Sequence, residues 1–475
     1  MKRNKIYVAA MTGLMVIASS CTKNFEEINT NPNAPDEAPM TNVLGYVISS
    51  LGYRFGETEM IYPGSFAGHI TKANYTDAVV YSGKPSSSIW TGCYSTVSRN
   101  ANAIINEAID KGNVNMQAAA MVLKAYALQM VTDVYGPCPY FEAGKGDEGL
   151  IHPVFDTEEA IYNDLFDQLE SASMLFTEDP LGGLLGDGDL LFGGDIANWK
   201  KFSNSLQLRM AIRISNVKPQ LATEVIGRIL GNPDAYPVFE SNEDNAALIF
   251  PGDEEWMEPW TSAFRSIGDN RMAKPLVDSL LSYDDPRIAY YADTTASGTY
   301  EGLEVGEEGL KTSKPGPLFI DNPAGPVKFL TYAELQFIMA EAGLRGLVTL
   351  DAQQAYEAGI TASMKEYGIE DADIAAYLQG PKVVWKGEVD QVNIQKWLSL
   401  FHQSWEAWAE MRRTDIPRLK PAANSEKPGH NRPPFRFCYP ETEISLNSAN
   451  IPASVDEEDT YWGYQVWWDT RTGVH

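Results

Sequence analysis

Five histidines, four cysteines and 64 acidic residues are the side chains of this 475-residue chain that could ligate a metal, attack a carbonyl or move a proton. Their spacing writes none of the usual catalytic signatures. A P-loop needs Ser or Thr after Gly-Lys to meet the magnesium of a nucleotide, but Gly83-Lys84 is followed by Pro85 and Gly144-Lys145 by Gly146. His69, His152, His402, His430 and His475 never stand four apart, so no helix turn carries two zinc ligands. No G-x-S-x-G elbow is present. Cys21, Cys93, Cys138 and Cys438 include no C-x-x-C pair. Asp187-Gly188-Asp189 with Asp195 has some of a calcium loop's acids but lacks its central glycine and final glutamate, and Asp195 suits a helix N-cap better. Paired carboxylates could still meet from distant loops, as in glycosidases, although nothing singles out a pair. The chain is therefore expected to have no catalytic residues, no metal and no cofactor.

Aromatic residues offer a different chemistry. A sugar ring has an apolar C–H face and a rim of hydroxyls, so a protein grips it with an open Trp or Tyr face and with Asn, Asp or Arg at the edge. Two stretches carry that mixture. The first holds Tyr62, Phe66, His69, Asn74, Tyr75, Tyr81 and Trp90; the second holds Trp256, Trp260, Phe264 and Arg265. Pro259 interrupts helical continuity in the second, which places its rings at least partly in loop. Tyr62, Phe66, Asn74, Tyr81, Trp90, Trp256, Trp260 and Arg265 are the expected ligand contacts. The competing reading for each ring is core packing between irregular loops.

The elements that must hold these loops are helical. Apolar residues recur at helix spacing over Trp90 to Lys111 and Met116 to Val134, with the Gly112-Asn113 break between them. Further periodic segments run over Glu158 to Phe176, Ala197 to Ser215, Pro219 to Leu230, Thr331 to Arg345, Ala352 to Tyr367 and Val389 to Arg412. Several pair across short breaks, like tetratricopeptide hairpins without the full 34-residue consensus. The expected fold is all-α: tetratricopeptide-like helix hairpins in a superhelical scaffold with long irregular loops. In Trp199 to Arg209, Trp199, Phe202, Leu206 and Met210 form a buried stripe, and the charged members pair with neighbouring helices. Tyr461-Trp462, Tyr464 and Trp467-Trp468 read as a closing clasp on the helical body.

The N-terminus is the most specific local signal. Lys2, Arg3 and Lys5 precede an apolar run from Ile6 to Ala18, and Ala18-Ser19-Ser20 leads to Cys21. The run is too short to span a bilayer, so residues 1–20 read as a lipoprotein signal peptide and Cys21 as the acylated residue. An uncleaved anchor, or cleavage with Cys21 present by chance, is the alternative. Residues 21–40, rich in Asn, Pro and acids, are a flexible tether, and 41–475 one large unit. Loss of Lys2, Arg3 and Lys5 with no acid takes the formal charge from −27 to −30. So acidic a surface repels phosphate backbones and excludes nucleic acid as a partner.

Four phrases in order carry a resemblance. They are Asn29-Thr30-Asn31-Pro32-Asn33 with Thr132-Asp133-Val134-Tyr135-Gly136-Pro137-Cys138-Pro139-Tyr140; Asp189 to Asp195 with Trp199 to Arg209; Tyr332-Ala333-Glu334 with Ala340-Glu341-Ala342; and Pro434-Phe435-Arg436 with Tyr439-Pro440-Glu441-Thr442-Glu443. Together they resemble the SusD/RagB nutrient-binding outer-membrane lipoproteins of Bacteroidetes. Met411-Arg412-Arg413-Thr414-Asp415, where a Glu-Arg-Arg run is frequent, resembles the SusD-like side group. The resemblance implies a lipid-anchored protein of the outer membrane, facing the cell surface, that binds oligosaccharide and passes it to a SusC-like TonB-dependent transporter. A peptide binder on the same scaffold and a loop-built glycoside hydrolase are the other readings.

Overall fold

Apolar spacing builds the helices, and short polar caps end them. The computed structural model describes residues 38–475, so the signal segment 1–20, Cys21 and the tether through residue 37 lie outside the described residues. Helix α1 (Met40–Glu59) buries Leu44, Val47, Ile48, Leu51 and Phe55 along one stripe. Helix α2 (Arg99–Lys111) continues a turn that starts at Ser88 and widens to π geometry over Gly92–Ser98. It ends at Gly112, whose φ of 69° suits glycine, and Asn113 then caps α3 (Val114–Tyr135) by accepting from the Met116 N–H. Helix α3 is buried nearly all round. Its alanines at 118, 119, 120, 125 and 127 let neighbours approach closely on both sides.

Thr157 caps α4 (Glu158–Leu175), and Asp195 caps α5 (Ile196–Ile214) through the Asn198 N–H at 3.1 Å. Then come α6 (Pro219–Leu230), α7 (Pro259–Ser266) and α8 (Lys274–Ser282). The C-terminal part holds α9 (Tyr332–Leu344), α10 (Ala352–Lys365), α11 (Asp371–Leu378), α12 (Val389–Ser399) and α13 (Ser404–Thr414). Helices α2 to α6 each pack on the next in sequence, and α9 packs on α10, which gives the expected tetratricopeptide-like hairpins. Trp199, Phe202, Leu206 and Met210 are all fully buried. Residues 40–475 form one compact unit.

Two features depart from the all-helical reading in detail. The segment from Val389 to Arg412 is two helices, parted at Leu400–Gln403, where His402 takes a left-handed φ of 65°. Tertiary contact selects that break: Phe401 stacks on Tyr291 and packs edge-on to Trp260, and His402 meets Glu258 at 3.3 Å. The long loops also carry strands. β1 (Ile70–Lys72) pairs antiparallel with β3 (Asn270–Met272), and β2 (Ala246–Ile249) with β4 (Pro326–Leu330). These ladders tie loops together across some 80 to 200 residues of chain and so position the surface described next.

Charged members of the motif helices stay inside and pair. Arg209 meets Glu334 in a two-pronged contact at 2.7 and 2.5 Å, and Arg213 bridges Asp133 and Glu406. Arg413 joins Glu341 to Glu410. The C-terminal rings close on the same region: Trp468 Nε1 donates to Asp133 at 2.8 Å, while Tyr464 Oη and the Trp467 N–H donate to Glu158.

Candidate functional site

The eight expected contacts separate by burial. Phe66, Tyr81, Trp90 and Trp260 are buried and offer no face to a ligand in this structure. Phe66 is a hub between Tyr62, Tyr81, Trp408, Phe437 and Tyr461. Trp90 packs on Tyr94, Tyr135 and Tyr439. Pro259 does not break a helix; it occupies the first turn of α7, and the Glu258 carboxylate caps that turn through the N–H groups of Trp260 and Thr261. Trp260 thereby faces inward against Phe319, Phe401 and His402. Each of these rings meets partners more than a hundred residues away, which no local spacing records. His69 is equally buried, its Nε2 against the Trp397 carbonyl at 3.1 Å, and burial pulls its pKa down to about 3.

Tyr62, Asn74, Trp256 and Arg265 keep some exposure. Trp256 stands on a turn in which Asp253 Oδ1 accepts the Glu255 and Trp256 N–H groups at 3.0 and 2.7 Å. Its ring lies edge-on to Tyr53 of α1, with centroids 6.4 Å apart. Arg265 reaches Asp321 at 3.1 Å. Tyr62 packs edge-on to Phe437 and accepts the Ser86 N–H.

A second exposed group forms where three loops meet. The Ala73 N–H donates to the Asp269 carbonyl at 2.8 Å, and the Ala73 carbonyl accepts the Gly309 N–H at 3.3 Å. The Lys72–Asp269 ion pair at 2.7 Å and the Arg271 bond to the Leu310 carbonyl brace the junction. Around it Tyr75, Ile267 and Leu310 are 74%, 60% and 55% exposed. Tyr75 sits at a left-handed φ of 51°, unusual for a bulky residue, at the start of a single 3-10 turn. Helix α7, about 12 Å long at 1.5 Å per residue, joins the loop of Trp256 to Ile267. Ile267, Leu310 and Tyr53 were not singled out in the sequence. Tyr75 belongs to the first aromatic stretch but not to the eight expected contacts; the further signal for it is its setting, Asn74-Tyr75-Thr76-Asp77, whose polar neighbours belong at a loop tip.

Asp189 of the calcium-like stretch is engaged by the N–H groups of Leu191, Phe192 and Gly194 and by Trp199 Nε1. Cys93, Cys138 and Cys438 are free and buried, and burial pushes their thiols up to about 12, 12 and 11. A cavity of about 30 Å³ beside Arg209, Arg213 and Glu406 is the size of one water.

The family described as "Starch-binding associating with outer membrane", SusD-like, matches residues 32–440. Among solved structures, a chitin-binding protein is 29% identical, with a TM-score of 0.81 over 91% of this chain and 100% of that one. A SusD homologue from Bacteroides uniformis is 25% identical, with a TM-score of 0.77 over 91% and 98%. A chitin-binding SusD homologue from Flavobacterium johnsoniae, 23% identical with a TM-score of 0.79 over 91% and 99%, shares the fold. No curated protein sequence matches the chain.

Proposed function

The chain belongs to the SusD-like family, and from that premise we propose that it binds glycan at the bacterial cell surface and delivers it to an outer-membrane transporter. The observation that carries the binding reading is the braced junction at Ala73, which holds Tyr75, Ile267 and Leu310 open to solvent, with Trp256 and Tyr53 presented beyond α7. Rings held outward by hydrogen-bonded loops lose little freedom when a sugar face settles on them. The family description and the chitin-binding relative support starch- or chitin-like oligosaccharide as the ligand class.

Calorimetry with maltoheptaose and chitohexaose tests this. Saturable binding of one of them without product is expected, and Tyr75→Ala should weaken it about fivefold, the equivalent of one stacking contact of roughly 1 kcal/mol. Hydrolysis of the oligosaccharide would replace this reading by the glycosidase. Binding of peptides and of no sugar would replace it by the peptide carrier.

In this reading a lipid on Cys21, which follows the basic, apolar and small-residue run of residues 1–20, attaches the chain to the outer membrane; no helix among the described residues is long and apolar enough to cross a bilayer. Passage of the ligand then falls to a partner, and a SusC-like TonB-dependent barrel, with this chain lying over its outer mouth, is the partner the family supports. Purification of the tagged chain from its native host in mild detergent should recover such a barrel at comparable yield. Recovery of the chain alone would refute the assembly.

A further inference from the structure

In a chain with a net charge of −27, the segment from Arg418 to Arg432 is basic. It carries Arg418, Lys420, Lys427, Arg432 and His430 against one acid, Glu426, and it lines an open cavity of about 670 Å³. That volume is in the range of small-ligand pockets. The lining loop is fixed to its surroundings. The Ala422 N–H donates to Tyr81 Oη at 2.9 Å, Ala423 to the Val305 carbonyl at 2.7 Å and Glu426 to the Val80 carbonyl at 2.8 Å. The Asn424 amide donates to the Gly306 carbonyl at 3.0 Å. At the far end Trp462 Nε1 donates to the Arg432 carbonyl at 3.0 Å.

Charge within the loop is left over. Asp415 takes both Arg432, at 2.7 and 2.9 Å, and Arg418, at 3.0 Å, while Arg471, 3.6 Å from it, pairs with Asp469 at 2.7 Å. Lys420 and Lys427 both line the cavity, and neither ammonium has a carboxylate or carbonyl partner among the described residues. An apolar surface lies beside them. The His430 ring stacks on Trp462 with centroids 3.8 Å apart and 5° between planes, and His430, Pro421 and Pro428 line the cavity. Burial holds the His430 pKa below its usual value against the pull of Asp459.

We propose that this cavity is a subsite for an acidic saccharide, with Lys420 and Lys427 taking a uronate carboxylate or sulfate ester and the His430 ring with the prolines taking the sugar face. Unpaired ammonium groups at a preformed concave wall bind an anion without first breaking an internal ion pair. The loop hangs from Val80, Tyr81, Val305 and Gly306, which lie four to six residues along the chain from Tyr75 and Leu310. The inference rests on the glycan-binding reading and narrows its ligand to one that includes anionic residues.

Calorimetry with three probes tests it: neutral chitotriose, trigalacturonate and 6-O-sulfated chitotriose. One anionic probe should bind at least tenfold more tightly than chitotriose, and which one it is distinguishes carboxylate from sulfate. That advantage should shrink between 50 and 500 mM NaCl as charge is screened. The double variant Lys420→Gln/Lys427→Gln should lose it, a drop of roughly tenfold for two partly exposed charge contacts, with melting temperature unchanged. Lys420→Arg/Lys427→Arg should retain it. Equal affinity for all three probes, or anionic binding untouched by the glutamine variant, overturns the subsite and leaves the glycan reading standing. Failure of the chain to bind any saccharide, across these probes and the longer neutral ones, overturns both.

Discussion

His69 offers a sharp test of how the interior is built. Its ring is fully buried between Trp397 and Phe401, with centroids 4.9 and 6.0 Å away. Nε2 meets the Trp397 carbonyl at 3.1 Å and so carries the hydrogen, while Nδ1 has no partner. A second proton would put an uncompensated charge in the core, which is why burial takes the pKa from 6.5 to about 3 despite the carbonyl. The unfolded chain keeps a pKa near 6.5 and therefore takes up the proton first as pH falls. Stability from this group is complete above pH 6.5 and is lost below it, by about 2 kcal/mol between pH 7.5 and pH 5. His69→Gln keeps an N–H for the Trp397 carbonyl and cannot titrate. Urea unfolding of both proteins at the two pH values reads the difference. The variant is expected to be weaker at pH 7.5, for lost ring packing, yet to lose about 2 kcal/mol less than the parent on going to pH 5. Equal acid losses in the two proteins would refute the buried neutral imidazole.

Trp260→Ala should cost about 3–5 kcal/mol of stability, because it empties a ring-shaped space between Phe319, Phe401 and His402, whereas Trp256→Ala, at a ring 45% exposed, should leave the melting temperature nearly unchanged and weaken oligosaccharide binding. Calorimetric melting and binding isotherms of the two variants check this contrast, and a Trp260→Ala protein that melts normally would remove the core assignment. Tyr81→Phe deletes the acceptor of the Ala422 N–H, so that amide should exchange with deuterium several-fold faster while exchange in α3 is unchanged. Cys21→Ala should release the chain from the membrane fraction, and its retention there after an alkaline wash would contradict lipid anchoring.

The sequence sufficed where one element's own periodicity or one turn's own chemistry decides the outcome. Trp199, Phe202, Leu206 and Met210 recur at helix spacing, so their burial on one face follows from 3.6 residues per turn whatever packs against them. Asn113 and Asp195 cap because a short polar side chain before an apolar run meets the free N–H groups of the first turn. Gly136 ends α3 at a φ of 85°, a conformation open to glycine, and Pro137 after it cannot continue the helix. The pairing of helices could be read at this level, whereas the family came from the resemblance carried by the four phrases between Asn29 and Glu443.

Rings in irregular loops have no period, and their exposure was decided only by the chain that came to cover them. Phe66 and Tyr75 lie nine residues apart in equally aromatic, polar sequence. Phe66 is sealed by Trp408 and Tyr461, whereas Tyr75 is held out by the pairing of β1 with β3 and by the Gly309 bond to Ala73. Trp256 and Trp260 differ because Pro259 starts a helix between them and turns the second ring inward. Lys420 and Lys427 carry no local sequence signal; the loop that holds them is set along an open space only by its bonds to Tyr81 and Val305. Local sequence sets backbone preference within a few residues, but solvent access at one position is set by contacts that close over hundreds, and a binding surface consists of what those contacts leave open.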